Sequence, residues 1–249
     1  LQEQRRLVGR IKECTSRLDE VRALRTESKR EADALLSGAR YDAFRAESRV
    51  ATLDTIIAEG PTNGLYKHSK FYGSGTAILR INNFNSGDVC TDGGELKRLQ
   101  VDASELERFR LRPGDIVLNR VNGSLDVVGK ACLIGNLREA TVFESNMMRF
   151  SVNPAKAVPG YVLHFLASPQ CRDQLKEKAR IIQQASINQK DVASLKLPLP
   201  SLSEQRDIAR YLDRISVLAR QAVDEMSAAS TVFEAVPAAV LRKAFAGEL

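Results

Sequence analysis

The stretch Leu197–Leu212, LPLPSLSEQRDIARYL, decides the architecture of this chain. Pro198 and Pro200 hold the approach extended, because each fixes its own φ and pushes the preceding residue out of the helical region. Ser201-Leu-Ser-Glu204 then reads as a capping box, the serine capping an early amide and the glutamate reaching back. A long helix is predicted from there. The same start stands at the other end of the chain, LQEQRRLVGRI: Leu1, Glu3, Gln4 and Arg5 match Leu202, Glu204, Gln205 and Arg206 at an offset of 201. The offset persists without a gap, pairing Ala34 with Ala235, Ala43-Phe44 with Ala244-Phe245 and Glu47 with Glu248.

Identity between the copies is low, and the pattern makes the case. In the second copy Ile208, Leu212, Ile215, Ala219, Ala222, Met226, Ala229, Phe233, Val236 and Val240 recur in steps of 4 and 3. Shifted back by 201, the same positions read Leu7, Ile11, Cys14, Leu18, Val21, Arg25, Ser28, Ala32, Leu35 and Ala39. Two heptad seams in one register predict two long helices, each built to pack on a partner helix. About 44 residues at 1.5 Å each make a rod of roughly 65 Å. Pro237 is expected to kink or break the second rod near its end. Any long amphipathic helix shows a seam; an ungapped repeat of 48 residues flanking an unrelated middle is far harder to reach by accident.

That middle differs in kind. EGPTNG (Glu59–Gly64) reads as a turn-rich linker ending the first helical arm. Beyond it TAILRI (76–81), DIVLNRV (115–121), ACLIGN (131–136), MMRFSV (147–152) and LKLPL (195–199) read as strands. Asp102-Ala-Ser-Glu105 opens a short helix, and residues 159–179 read as two helices divided at Ser168-Pro169. The expected organisation is a helical region over residues 1–58, a mixed α+β domain over 59–199 and a second helical region over 200–249.

Composition narrows the function. Hydrophobic residues make up 43% of the 249, enough for a core, and no apolar run approaches a membrane span. The charged start carries no signal-peptide pattern, so a cytoplasmic protein is expected. Residue 1 is Leu rather than Met, which reads as part of something longer or a trimmed chain. Cys14, Cys90, Cys132 and Cys171 lie far apart and, with His68 and His164, show no zinc spacing; free thiols are expected and no metal site. No phosphate loop of the G-x-x-x-x-G-K-[ST] type, no G-x-S-x-G elbow and no H-E-x-x-H is present. Gly73-Ser-Gly75 lacks the third glycine of a dinucleotide fingerprint and reads as a turn. The chain is expected to be no enzyme. Its net charge of +6 leans toward an anionic partner.

The middle carries amide and basic residues beside glycine turns, in four clusters: KHSKFYGSG (67–75), RINNFNSG (80–87), NRVNGS (119–124) and RIIQQASINQK (180–190). The candidate nucleic-acid contacts are Lys67, Lys70 and Tyr72; Arg80, Asn82, Asn83 and Asn85; Arg120, Asn122, Ser124 and the nearby Lys130; and Arg180, Gln183, Gln184 and Asn188. Asn82, Asn83, Asn122 and Gln184 suit base edges, because a carboxamide offers a donor and an acceptor together. Lys67, Lys70, Arg120, Lys130 and Arg180 suit phosphates, with Arg120 also able to read a guanine. The same residues are ordinary turn chemistry taken one at a time; four clusters in one basic domain favour nucleic acid.

LKLPLPSLSEQRDIARYLD resembles the junction between a target recognition domain and a conserved helix in specificity subunits of type I restriction–modification systems, and LRKAFAGEL resembles the end of that helix. LRPGDIVLNRVNGS and QQASINQKDVASLKLPLP resemble stretches inside the recognition domains. The resemblance implies that the two long helices pair as an antiparallel coiled coil beside the recognition domain. It implies double-stranded DNA as ligand, with methyltransferase (modification) and restriction subunits as partners. S-adenosylmethionine, ATP and magnesium would then sit on those partners. One recognition domain rather than the family's two implies either a missing upstream domain or a half-subunit that forms a homodimer. An adaptor that binds protein through its helical arms without DNA is the alternative, and a methyltransferase fragment a more distant one.

Overall fold

The structure is a computed structural model that describes residues 2–45, 49–84, 87–91, 95–181 and 184–246. It falls into two compact units, residues 1–39 with 213–249, and Arg40–Leu212. In chain order the elements are helix α1 (Gln2–Phe44), strands β1 (Val50–Thr52), β2 (Ile57–Asn63), β3 (Tyr72–Leu79), β4 (Asp88–Cys90) and β5 (Lys97–Leu99), helix α2 (Ala103–Phe109), and strands β6 (Ile116–Asn119), β7 (Val121–Asn122), β8 (Ala131–Ile134), β9 (Thr141–Phe143) and β10 (Met147–Val152). There follow helices α3 (Pro159–Leu166) and α4 (Pro169–Lys178), strands β11 (Arg180–Ile181) and β12 (Ala185–Ser186), helix α5 (Gln189–Ala193), strand β13 (Lys196–Pro198) and helix α6 (Leu202–Ala246). None of the described helices is long and apolar enough to cross a membrane.

The long helices occupy the repeated regions. On α1 the shielded stripe is Ile11, Cys14, Leu18, Val21, Arg25, Ser28, Ala32, Leu36 and Ala39, with Leu18 only 7% exposed. It follows the predicted seam except at one position, where Leu35 is 64% exposed and Leu36 takes its place before Ala39 resumes the seam. On α6 the same change puts Val223 on the shielded side and Ala222 on the exposed one, after half-buried Ile208, Ile215 and Ala219 and buried Leu212 and Ser216. The Met226 side chain lies outside the described residues. Helix α6 continues through Pro237 to Ala246, so of the expected kink or break no break occurs.

The capping box opening α6 is in place: the Ser201 amide donates to Glu204 Oε2 (2.9 Å), and the Glu204 amide donates to Ser201 Oγ (3.4 Å). The Ser201 hydroxyl, which donates to Glu204 Oε2 (2.6 Å), and then the Ser201 amide hold the Glu204 carboxyl below its usual range. The glutamine of the repeated EQR is buried. Gln205 Oε1 accepts from the Val158 amide (2.9 Å), and its Nε2 donates to Pro200 O (2.9 Å) and Lys156 O (3.2 Å). It fastens the first turn of α6 to the start of α3.

In the Arg40–Leu212 unit a mixed five-stranded sheet has the order β2-β10-β6-β8-β4, and a three-stranded sheet the order β5-β3-β9. Strands β3 and β9 run parallel and are buried on both faces, which explains the uninterrupted apolar run Ala77-Ile78-Leu79, each fully buried. Leu79 and Phe143 pack on one side, with Val117, Cys132 and Ile134; Ile78 and Val142 pack on the other, with Leu65 and Leu99. A further apolar centre holds the end of α1, where the Phe44 ring meets Tyr161 and Phe165 at centroid distances of 5.1 and 5.5 Å.

Two local expectations are corrected. Helix α1 ends at Phe44, and EGPTNG is no linker, since most of it lies in β2. Strand β2 is an edge strand with irregular register against β10, a position that tolerates glycine and proline. Gly73-Ser-Gly75 is no turn but a bulge inside β3, where Tyr72 and Thr76 both face Leu99. Gly75 has φ of +101°, and a Cβ there would stand 2.6 Å from Leu99 O, so the bulge requires glycine. The strands expected from TAILRI, DIVLNRV, ACLIGN, MMRFSV and LKLPL, the helix opened by Asp102 and the helix break at Ser168-Pro169 are all present.

Candidate nucleic-acid interface

Two of the four amide-rich clusters meet in a small antiparallel sheet of order β11-β12-β7. Asn122 faces Ala185 and Val121 faces Ser186, while Ser186 faces Arg180 across the hairpin. Gln184 stands exposed in the hairpin turn. The Ile187 amide donates to Arg120 O (3.0 Å), tying the hairpin to the end of β6.

The other clusters join through the turn Glu144-Ser145-Asn146. Glu144 accepts from Arg80 Nε (2.9 Å) and from the Ile81 amide (3.3 Å). Ser145 O accepts from Arg120 Nη1 (3.2 Å), and Asn146 O accepts from the Arg120 amide (2.8 Å). Tyr72 lies close enough to feel both Glu144 and Arg80; burial, with the Glu144 charge behind it, pushes its phenol up, so it stays neutral. Arg80 and Arg120 therefore hold this turn from two sides, Arg80 at Glu144 and Arg120 at Ser145 and Asn146. The turn itself was missed in the sequence: nothing in ESN distinguishes it from any other turn until Arg80 and Arg120 are seen on either side.

The candidate side chains divide by what already holds them. Among the amides, Asn83 Oδ1 accepts from the Arg80 amide (2.8 Å), Asn122 Oδ1 from the Ser124 amide (3.0 Å) and Asn188 Oδ1 from the Asp191 amide (3.0 Å). These three build turns and a helix cap. Ser124 Oγ likewise accepts from the Asp126 amide (3.3 Å). Asn82 and Gln184 are exposed and have no partner recorded among the described residues. Among the cations, Lys67 pairs with Glu105 (2.7 Å) and Arg180 with Asp191 (3.2 Å), and Arg80 is neutralised by Glu144. Lys70 lies over the Phe71 ring at 5.1 Å and is exposed, as is Lys130. Among the described residues the Arg120 guanidinium donates to the Ser145 carbonyl and has no acidic partner recorded. Asn85 and Gln183 lie outside the described residues.

The loop from Ser124 to Lys130 is held from behind by Arg172 of α4. One guanidinium donates to Val128 O, to Leu125 O (3.1 Å) and to Asp126 O (3.1 Å). Nothing in the sequence of a short helix marks such a clamp. Arg172→Ala is expected to release the loop, with about 1.5–3 kcal/mol lost locally, because a charged donor serves three carbonyls, those of Leu125 and Val128 partly buried and that of Asp126 exposed. Faster amide hydrogen exchange at Gly129 and Lys130 is the measurement, and Arg172→Lys, which lacks the fork, is expected to restore little of the protection.

A separate groove of about 790 Å³ is lined by Tyr72, Lys97, Arg98, Arg138 and Glu139 among others. Arg98 and Glu139 form a two-bond pair across it (3.0 and 2.6 Å), which cancels much of its charge. No group of three or more histidine, cysteine or carboxylate side chains among the described residues is arranged to hold a metal ion.

The sequence profile described as "Type I restriction modification DNA specificity domain" matches residues 66–220. The EcoKI specificity subunit of Escherichia coli K12 is 30% identical over 188 residues, which are 75% of this chain and 40% of that subunit. The StySPI specificity subunit of Salmonella potsdam is 26% identical over 188 residues, with the same coverage. The chain thus spans about two fifths of the length of these curated relatives. A chain solved in work on complex assembly and conformational transition of the type I R-M system superposes with a TM-score of 0.73 at 21% identity, over 99% of this chain and 60% of that one. The HsdS subunit from Thermoanaerobacter tengcongensis gives 0.58 at 22% identity, over 100% and 59%. At those identities the two likenesses speak for the fold, and they agree with the long helices and mixed domain described above. Together with the profile match across most of the Arg40–Leu212 unit, this establishes that the chain belongs to the type I restriction–modification DNA specificity family.

Proposed function

We propose that the Arg40–Leu212 unit is a target recognition domain that docks in the major groove of duplex DNA and reads one half of a divided site. The observation that carries this reading is the joining of the Arg80 and Arg120 clusters at Glu144-Ser145-Asn146, with Tyr72 within electrostatic reach of Glu144 and the 180–190 hairpin paired to Asn122 and Arg120, while Asn82 and Gln184 are exposed. Lys70, Lys130 and Arg120 supply phosphate contacts; Asn82 and Gln184 supply base contacts. The domain performs no bond chemistry. Methyltransferase and restriction subunits dock on the helical arms, and S-adenosylmethionine, ATP and magnesium are theirs. A second recognition domain, from another copy or from further chain, completes the divided site.

Titrating a fluorescent duplex against the purified chain at several salt concentrations tests this. A DNA reader loses affinity linearly in log–log form as salt rises, because phosphate contacts release counterions. A protein adaptor binds no duplex at any salt.

The helical arms pair antiparallel in this reading, supported by the shielded 3–4 stripes on α1 and α6. Leu18→Asp places an unpaired carboxylate at a position only 7% exposed, and is expected to destabilise the helical unit by about 2–5 kcal/mol. Ile215→Asp, at a half-buried position, is expected to cost less. Thermal melting followed by circular dichroism measures both; wild-type melting for Leu18→Asp contradicts the pairing.

A further inference from the structure

The two-stranded sheet of β1 and β13 has two outer edges, and the chain treats them differently. On the β13 side Gln174 Nε2 donates to Lys196 O (2.8 Å), and the Lys196 amide donates to Gln174 Oε1 (2.8 Å). The Tyr161 hydroxyl donates to Pro198 O (2.8 Å), and Pro198 has no amide hydrogen. That edge is blunted. On the β1 side the register pairs Val50 with Pro198, Ala51 with Leu197 and Thr52 with Lys196, while the Leu199 amide donates to Arg49 O and the Leu53 amide to Leu195 O. Bonded pairs alternate in an antiparallel ladder, so Arg49, Ala51 and Leu53 turn toward β13 and Val50 and Thr52 turn outward. Thr55 Oγ1 donates to Thr52 O (2.7 Å). The amide and carbonyl of Val50 and the amide of Thr52 have no partner recorded among the described residues.

A groove of about 750 Å³ at this strand is lined by Val50, Ala51 and Thr52 themselves and by Arg49, Lys156 and Lys196. No aspartate or glutamate among the described residues lines it. Lys156 is fixed there, its Nζ donating to Thr55 O (2.9 Å), and Val50 is 61% exposed. We propose that β1 is a docking edge that takes, as a third strand, an extended acidic segment of a partner polypeptide. The partner's backbone meets Val50 and Thr52, and its carboxylates face Arg49, Lys156 and Lys196. Free main-chain groups in a row give affinity for a strand, and the cations select its charge. A nucleic-acid backbone fits less well, because a phosphodiester has no donor for the outward Val50 carbonyl. Strand β10 begins beside Asn119 at the DNA-reading face, and its far end pairs with Ile57 near this groove, so the two surfaces are separate and neither reading rests on the other.

The test uses the full chain and a labelled hexapeptide of alternating glutamate and valine. The peptide is expected to bind, to slow amide exchange at Val50 and Thr52 at least tenfold at saturation, and to leave Ala51 unchanged. Arg49→Glu combined with Lys196→Glu is expected to weaken binding at least tenfold. So is N-methylation of the peptide's alternate amides, which keeps its charge and removes its strand pairing. Val50→Pro removes the outward amide without touching the ladder and is expected to abolish binding; if that variant fails to fold, the N-methylated peptide decides. Absent binding, equal binding of the N-methylated or a lysine–valine peptide, unslowed exchange at Val50 and Thr52, or protection of those amides by duplex DNA instead of the peptide would each overturn the proposal.

Discussion

Arg149→Ala is expected to destabilise the Arg40–Leu212 unit by about 3–5 kcal/mol, the usual effect of removing one member of a buried ion pair. For a unit of this size that is a fall in melting temperature of roughly 6–20 °C. Arg149 on β10 is 8% exposed and Asp115, just before β6, is 4% exposed. Arg149 Nη1 lies 3.5 Å from Asp115 Oδ2 and donates to Arg110 O (2.9 Å), while the Arg112 amide donates to the same carboxylate (2.8 Å). Alanine leaves a carboxylate in the interior with one amide for company. The pH dependence follows from the same geometry. Burial pushes the Asp115 carboxyl up, against the pull of the Arg112 amide and the Arg149 charge. A raised carboxyl stabilises the fold fully below the ordinary aspartate range, and that stability is lost as pH rises through the folded value. Without Arg149 the folded value rises further. The gap between variant and wild type is therefore widest near neutral pH and narrows as pH falls toward about 4. A gap that stays constant or widens on acidification would contradict this account. Arg149→Met with Asp115→Leu, which removes both charges and keeps volume, is expected to recover most of the loss.

Alanine at both Asn82 and Gln184 is expected to reduce the preference for cognate over random duplex by about 1–3 kcal/mol per residue, with little change on random DNA. These two amides are chosen because they are exposed and have no recorded partner among the described residues, whereas Asn83, Asn122 and Asn188 already use a carboxamide oxygen locally. Lys70→Ala and Lys130→Ala are expected to weaken cognate and random binding alike, each lowering the salt slope by about one. Phosphates look the same at every step, and base edges do not. Asn122→Ala is expected to act differently again, through the turn it holds for Ser124 rather than through a base. Competition titrations with the two duplexes measure all of these. An unchanged preference in the double variant would remove Asn82 and Gln184 as readers.

The parts of this molecule legible in its sequence are those where one local rule decides. Ser201 and Glu204 start a helix wherever the chain goes next, and Asp102 with Glu105 does the same for α2, with bonds of 2.8 and 2.9 Å in both directions. The seam of α1 is readable but for one position, where Leu36 rather than Leu35 is shielded. Strand β2 was hidden because Gly60 and Pro61 are turn residues everywhere except on an irregular edge. Strands β7, β11 and β12 hold two residues each, too few for any alternation to register. At the candidate interface, residue type alone does not say which side chains are already held. Lys67 and Arg180 look like phosphate holders until Glu105 and Asp191, 38 and 11 residues away, are seen to pair with them. Glu144, Arg172 and Gln205 were invisible for the converse reason, since their work lies in partners distant in the chain.

The central claim is that this chain reads sequence through the face around Glu144-Ser145-Asn146. Selection from a randomised duplex library by the purified chain, at moderate salt, tests it most directly. The account predicts enrichment of one short motif by the wild type, and loss of that motif with salt-dependent binding retained when Asn82 and Gln184 are both alanine. Recovery of the same motif at the same enrichment by the variant, or no motif at all from a wild-type chain that binds duplex, would contradict it.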